Sequence, residues 1–178
     1  ALSAPRHPGR IALRIAALGA QHRDRVAQIL GATHAFSPSE IEVALELFDD
    51  ALRSSDSYEL IGVFDDEAAL EGYACWGPTP GTDRGYDLYW IAVDPAAHGG
   101  GWGTALMLAV EERLRERNAR MLVVETSSRA SYGATRLFYE RRGYLERARV
   151  RGFYGEGDDR VIFTKQLQAG AGEEARHE

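Results

Sequence analysis

Four glycines, Gly99, Gly100, Gly101 and Gly103, fall within five residues of the stretch VDPAAHGGGWGTAL (Val93–Leu106). Apolar strand-forming residues precede them and helix formers follow. Glycine is costly wherever a backbone must be ordered, so their clustering at a helix start needs a reason. A strand that passes through glycines into a helix is an anion-binding device. The first helical N–H groups have no partner, and the helix dipole favours negative charge. Glycine also removes the Cβ atoms that would hold a phosphate away. A P-loop needs Lys followed by Ser or Thr after its last glycine. Here Gly103 is followed by Thr104 and Ala105. A dinucleotide fingerprint, G-x-G-x-x-G, counted from Gly99 meets Thr104, and counted from Gly101 it lacks its third glycine. It also lies mid-chain, after a meander of strands.

A second candidate is Glu125, in VVETS (Val123–Ser127). A carboxylate in a valine-rich strand is unusual unless it faces a polar cleft or pairs with an arginine, and both readings stay open. Asp87 and Tyr89, on the preceding strand, offer an alternative proton route through water. The acidic pairs at 49–50, 65–66 and 158–159 read as turns or solvated faces.

Periodicity supplies the elements that must position these groups. Arg10–Ala16 alternates Ile11, Leu13 and Ile15 and reads as a half-buried strand. Ala20–Leu30 reads as a helix. Ser37 begins another: it caps, Pro38 fits the first helical position and Glu40 completes a capping box, with Ile41, Leu45, Phe48 and Leu52 on one face. Tyr58–Phe64 and Leu70–Gly77 read as a hairpin around an acidic turn. The strand Tyr86–Val93 precedes the glycines, and Leu106, Val110 and Leu114 mark one face of the helix after them. Arg120–Ser127 is another strand. Ser131–Gly143 is a helix with a glycine cap, on which Ala134, Leu137 and Phe138 are expected to face the core and Tyr139 a cleft. Two last strands, RARVRGFY and RVIFTKQL, form a closing hairpin. The order β-α-α-β-β-β-α-β-α-β-β predicts an α/β (α+β) fold: a mixed seven-stranded sheet flanked by about four helices. A single domain is expected over 10–168, with flexible termini at 1–9 and 169–178.

The 178 residues suit one sizeable core. The formal net charge of −6 argues against a phosphate-backbone binder, so no nucleic-acid partner is expected. The single cysteine, Cys75, excludes an intrachain disulfide, and no Cys/His spacing suggests a metal. No apolar run reaches the roughly 18 residues of a membrane span, and no signal-peptide pattern opens the chain. A cytoplasmic enzyme without membrane association is the expectation.

Three segments together resemble the GNAT acyltransferase superfamily, in its single-domain bacterial form. HGGGWG (His98–Gly103) is similar to the family's Q/R-x-x-G-x-G/A turn, with His98 where Gln or Arg is usual. WIAVDP (Trp90–Pro95) resembles the strand end before it, and RLFYERRGY (Arg136–Tyr144) the family's FYxxxGF signature. Element order follows the family from Ile11 to Leu167. The resemblance implies transfer of an acetyl group from acetyl-CoA to a primary amine of a small-molecule or peptide acceptor, with no metal. It implies that the amides of Gly99, Gly101, Gly103 and Thr104, with their neighbours His98, Gly100 and Trp102, cradle the pyrophosphate of coenzyme A. It implies that pantetheine pairs with the splayed strand at Ile91, Ala92 and Val93. Tyr132 stands where the family often has an Asn that contacts pantetheine. Tyr139 matches the tyrosine placed near the cofactor sulfur, which implies a general acid. Glu125 lies where several N-terminal protein acetyltransferases carry a carboxylate, which implies a base. His34 and Phe36 fall where the family shapes its acceptor site, and Tyr73, Trp76, Tyr89 and Trp90 divide between core and cleft. Family members commonly dimerise, so a homodimer is one implied assembly. The alternatives are a non-catalytic acyl-CoA sensor on the same fold and a nucleotide-binding oxidoreductase.

Overall fold

The computed structural model describes residues 13–54, 56–97 and 99–168. The elements are β1 (Arg14–Ala16), α1 (Arg23–Ala32), α2 (Pro38–Arg53), β2 (Glu59–Phe64), β3 (Leu70–Pro78), β4 (Gly85–Val93), α3 (Trp102–Glu116), β5 (Met121–Ser127), α4 (Gly133–Glu140), β6 (Leu145–Gly155) and β7 (Asp158–Gln166). Single 3-10 turns cover Ala20–His22, Pro95–Ala97 and Ala130–Tyr132. The order of strands and α-helices is the one the sequence predicts. Residues 10–12 of the expected first strand, and both termini, lie outside the described residues. Among those described, no helix is long and apolar enough to cross a membrane.

The start of α2 follows from its cap. The Glu40 amide donates to Ser37 Oγ at 3.3 Å, and the Ser37 amide donates to Glu40 Oε2 at 2.7 Å. Each side chain thereby satisfies a terminal N–H that the helix leaves without a partner. Phe48 and Ala44 on the inner face are buried, with Ile41 and Leu45 packed beside them, whereas Leu52 is exposed.

The seven strands form one sheet in the order β1-β2-β3-β4-β5-β7-β6. All neighbours are antiparallel except β4 and β5, which α3 joins as a parallel crossover. One face packs α3 against Ile61, Ala74, Trp76, Leu88, Leu122, Val124 and Phe163. The other packs α1 and α2 against Phe64, Tyr73, Cys75 and Ala92. Tyr73 and Trp76 are therefore core residues, 0% and 1% exposed.

Strand β4 changes face midway. Leu88 opposes Trp76 and Trp90 opposes Cys75, which leaves Tyr89 as an extra residue on β4. This bulge resets the alternation. Before it Leu88 points to the α3 face. After it Ile91 and Val93 point there instead, while Trp90 and Ala92 turn to α1 and α2. The pairing with β5 ends at the same place, since Leu88 and Val124 are its last partners.

Candidate active site

Beyond Leu88 and Val124 the two parallel strands separate in the middle of the sheet. Ile91, Ala92 and Val93 still pair with β3 through Ala74, Tyr73 and Gly72, but their other edge has no strand partner. An unpaired edge carries N–H and C=O groups that need a partner, and here they line a cleft rather than a sheet margin. A cavity of ≈ 1180 Å³ opens there. Its walls take Ile91, Val93 and Tyr139 from the α3 side and Asp87, Trp90 and Glu125 from the opposite side. Thr126 lines it too, with a buried hydroxyl that has no hydrogen-bond partner.

The glycines prove to have several causes. Gly99 and Gly101 have φ of +90° and +76°, in the left-handed region, and a Cβ on either would meet nothing within 4 Å. Their demand is conformational. A Cβ on Gly100 would lie 2.1 Å from Trp102 Nε1, and one on Gly103 would lie 3.2 Å from the Phe138 ring. Those two glycines make room for the buried Trp102 indole and for α4 against α3. Gly101 is the N-cap of α3, has no side chain to offer, and no acidic residue occupies the first turn. The first bond back to the cap comes from the Ala105 amide to Gly101 O, at 3.0 Å. The amides of Trp102, Gly103 and Thr104 thus precede it as open donors. On the outer flank of the loop, Gly99, Gly100 and Trp102 border a hollow lined by Asp65, Asp66, Glu71 and Asp94 with Arg25. Carboxylates dominate that flank. His98 lies outside the described residues.

Ala134 and Leu137 of α4 depart from the sequence expectation. The residues of α4 that turn inward are Thr135, Phe138 and Tyr139; Leu137 is 41% exposed and Ala134 is exposed, so neither faces the core. Tyr139 is itself buried, at 4% exposure, yet borders the cavity. The helix end explains the placement. The Tyr144 amide donates to Tyr139 O at 3.1 Å and the Gly143 amide to Glu140 O at 3.0 Å, with Gly143 at φ +83°. This is a Schellman motif, and the expected glycine cap is present. Its apolar contact is Tyr144 against Tyr139, centroids 5.8 Å apart, with Phe163 on the other side at 6.0 Å. The regular helix is shorter than expected, because Ala130–Tyr132 winds as a 3-10 turn before Gly133. Burial pushes the Tyr139 hydroxyl well above the usual tyrosine range, so it stays protonated.

Glu125 faces the cavity and is ion-paired with Arg160 of β7. Both readings that the sequence left open hold at once. Asp87, on the same side of the splay, accepts a hydrogen bond from the Thr79 hydroxyl at 2.6 Å. Desolvation raises its pKa first of all, and the Glu125 charge adds to the rise, against the pull of Thr79 and Arg160. At the far end Asp158 is buried, accepts from the Ser127 hydroxyl and pairs with Arg129 Nε at 2.9 Å. Tyr132 donates its hydroxyl to Ala35 O at 2.6 Å, tying the loop before α4 to the loop between α1 and α2. His34 and Phe36 from that loop line the cavity, and Phe36 packs edge-on against Trp90 at 5.1 Å. No cluster of His, Cys, Asp or Glu that would hold a metal occurs among the described residues.

Arg142 is the residue that sequence reasoning passed over. Its guanidinium lies 3.6 Å from the Phe138 ring centroid, donates to Phe138 O at 2.8 Å and bonds the Thr104 hydroxyl. Desolvation and then the neighbouring Arg141 charge lower its pKa, with only Glu111 opposing. No carboxylate among the described residues is hydrogen-bonded to this guanidinium, which stands at the positive end of α3. The signal in the sequence was the Arg-Arg-Gly run at the end of α4.

The Acetyltransferase (GNAT) family profile matches residues 24–144. A GNAT-family protein from Desulfovibrio desulfuricans is 39% identical, with a TM-score of 0.80 over 89% of this chain and 99% of that one. The ribosomal-protein-S18-alanine N-acetyltransferase from Escherichia coli shares the fold at 23% identity and a TM-score of 0.72, over 91% of this chain and 99% of its own. A Salmonella typhimurium protein solved with its cofactor acetyl-CoA does so at 17% identity and 0.70, over 92% and 99%. No curated protein matches the sequence.

Proposed function

The chain belongs to the GNAT acetyltransferase family, and from that premise we propose that it moves an acetyl group from acetyl-CoA to a primary amine within the β4–β5 splay. One observation carries the reading: an unpaired inner strand edge lies between a buried, protonated tyrosine and a pair of carboxylates. The residues fit coenzyme A. The edge at Ile91–Val93 matches the amides of pantetheine, and the open donors of Trp102, Gly103 and Thr104 face a pyrophosphate. The uncompensated Arg142 supplies the positive side chain there. The bound cosubstrate contributes the thioester.

The chain's own groups handle the protons. A free alkylammonium has a pKa of about 10.4, so the acceptor arrives charged and must lose a proton before it attacks. We assign that proton to Asp87 and on to solvent. Asp87 binds protons more tightly than an ordinary aspartate, whereas Glu125 is committed to Arg160. This reverses the ranking that the sequence alone suggested. Glu125 then acts by raising the basicity of Asp87. The C–N bond forms and the C–S bond breaks. Tyr139 delivers a proton to the departing sulfur, whose thiolate otherwise has a pKa of about 8.5. The second proton lost by nitrogen balances it. Thiol release from acetyl-CoA across an amine library tests the reading, and saturable binding of acetyl-CoA with no release for any amine would instead favour a sensor. For self-association we propose the outer edge β6, where Leu145 and Val150 are exposed, and sedimentation of the purified chain checks it.

A further inference from the structure

The acceptor half of the cavity has an excess of negative charge. Glu40, Asp87, Glu125 and Asp158 line it, against Arg129 and Arg160. Arg160 is taken by Glu125 and Arg129 by Asp158. Asp87 and Glu40 remain without an ion pair among the described residues; Thr79 and the Ser37 amide are their hydrogen-bond donors. These two stand on different walls, Asp87 on β4 and Glu40 on the first turn of α2. The Glu40 charge is felt at Tyr132 and Tyr154, so it bears on the cavity as well as on its own helix. The same cavity is lined by aromatic rings: Phe36, which packs against Trp90, Tyr89, which packs against Tyr58 at 5.3 Å, and Tyr154. Carboxylates interleaved with aromatic faces suit an alkyl chain that carries ammonium groups.

The bond from the Tyr132 hydroxyl to Ala35 O joins two loops that both line the cavity. A bulky acceptor that entered between these two loops would have to break that bond, whereas a slender chain would not.

Resting on the acetyl-transfer reading above, we infer that the acceptor is a slender linear molecule with a second positive charge beyond the reacting amine, of the diamine or polyamine class. Asp87 meets the reacting end and Glu40 the distal ammonium. A neutral alkyl tail would leave Glu40 without its partner, and a carboxylate tail would be repelled by it.

A matched series tests this: 1,5-diaminopentane, pentylamine and 5-aminopentanoate, each with saturating acetyl-CoA at fixed pH and low salt. The expected order of kcat/KM is diamine, monoamine, amino acid, with about two- to fivefold at the first step, the size of one exposed charge contact. Glu40→Gln keeps the capping box, because Gln serves there as well as Glu. It should abolish most of the diamine preference, read as the ratio of kcat/KM for the diamine to that for pentylamine. Equal kcat/KM for diamine and pentylamine, a preference that survives Glu40→Gln, or a lysine-bearing peptide that outcompetes the diamine would each overturn the inference. Calorimetric binding of the same three amines to the CoA-loaded protein reads the charge preference without turnover. Diamine-selective binding with no thiol release sinks the acetyl-transfer reading alone. Thiol release without diamine selectivity sinks this one alone.

Discussion

Gly101 and Gly81 form a matched pair that separates backbone strain from cofactor binding. Gly101 caps α3 at φ +76°, and Gly81 sits at φ +75° in the turn between β3 and β4. A Cβ on either would meet nothing within 4 Å. The Gly81 turn is closed by the Thr82 amide donating to Thr79 O at 3.3 Å, with Pro80 before the glycine, the arrangement of a type II turn. Forcing alanine into the left-handed region costs about 1–2 kcal/mol. Restricting the unfolded chain returns about 0.4–1 kcal/mol. Each Gly→Ala variant should therefore lose about 1 kcal/mol, a fall in Tm of about 2–4 °C for a chain of this size. The two should match within experimental scatter. Their kinetics should not. If the α3 amides hold the pyrophosphate, strain at their cap displaces a charge-assisted hydrogen bond worth about 1.5–3 kcal/mol. That raises KM for acetyl-CoA by about tenfold or more in Gly101→Ala and leaves it unchanged in Gly81→Ala. Differential scanning fluorimetry and a thiol-release assay measure both quantities. Equal KM values for the two variants, beside equal Tm losses, would refute a phosphate cradle at this turn.

Because Asp87 is raised and must be ionised to take a proton, kcat/KM should fall on the acid side at a pH above the usual aspartate range of about 3.9. Asp87→Asn should remove that limb, and Glu125→Gln should move it to lower pH, since it deletes a like charge and frees Arg160; a limb unmoved in both variants would exclude the pair. Arg142→Met should raise KM for acetyl-CoA and flatten its dependence on salt, with kcat retained; unchanged salt dependence would remove Arg142 from the phosphate site. Glu111 is 1% exposed and accepts from Tyr144 at 2.9 Å, Lys165 at 3.0 Å and Arg115 at 3.1 Å. Glu111→Ala should cost about 3 kcal/mol in urea unfolding, the low end for a broken buried pair because Arg115 and Lys165 keep contact with water; a loss below about 1 kcal/mol would show the network to be unimportant.

The sequence made the elements legible wherever the cause was local. The Ser37–Glu40 box, Pro38 and the Gly143 cap are short-range devices, and each formed where its residues fall. Longer-range causes were invisible. The bulge at Tyr89 exists only in the count of residues on β4 against β3, so the switch of Trp90 and Ile91 between faces has no signature in either strand alone. The partner of Glu125 is 35 residues away on β7. The inner face of α4 was misassigned because Leu137 is more apolar than Tyr139. Packing followed the Schellman contact of Tyr139 with Tyr144 instead. Arg142 was passed over because a charged residue at a helix end ordinarily faces water, whereas this one lies on Phe138.

In the proposed reaction the β4–β5 splay brings the thioester of acetyl-CoA beside the Tyr139 hydroxyl. Single-turnover acetyl transfer by Tyr139→Phe tests it most directly, with acetyl-CoA affinity measured on the same protein. The ring packs among Phe138, Tyr144 and Phe163, and among the described residues none is hydrogen-bonded to its hydroxyl, so Phe should retain the fold. The expected transfer rate is lower by about 10²–10⁴-fold at an unchanged Kd for acetyl-CoA. A rate within about threefold of the parent protein would contradict it.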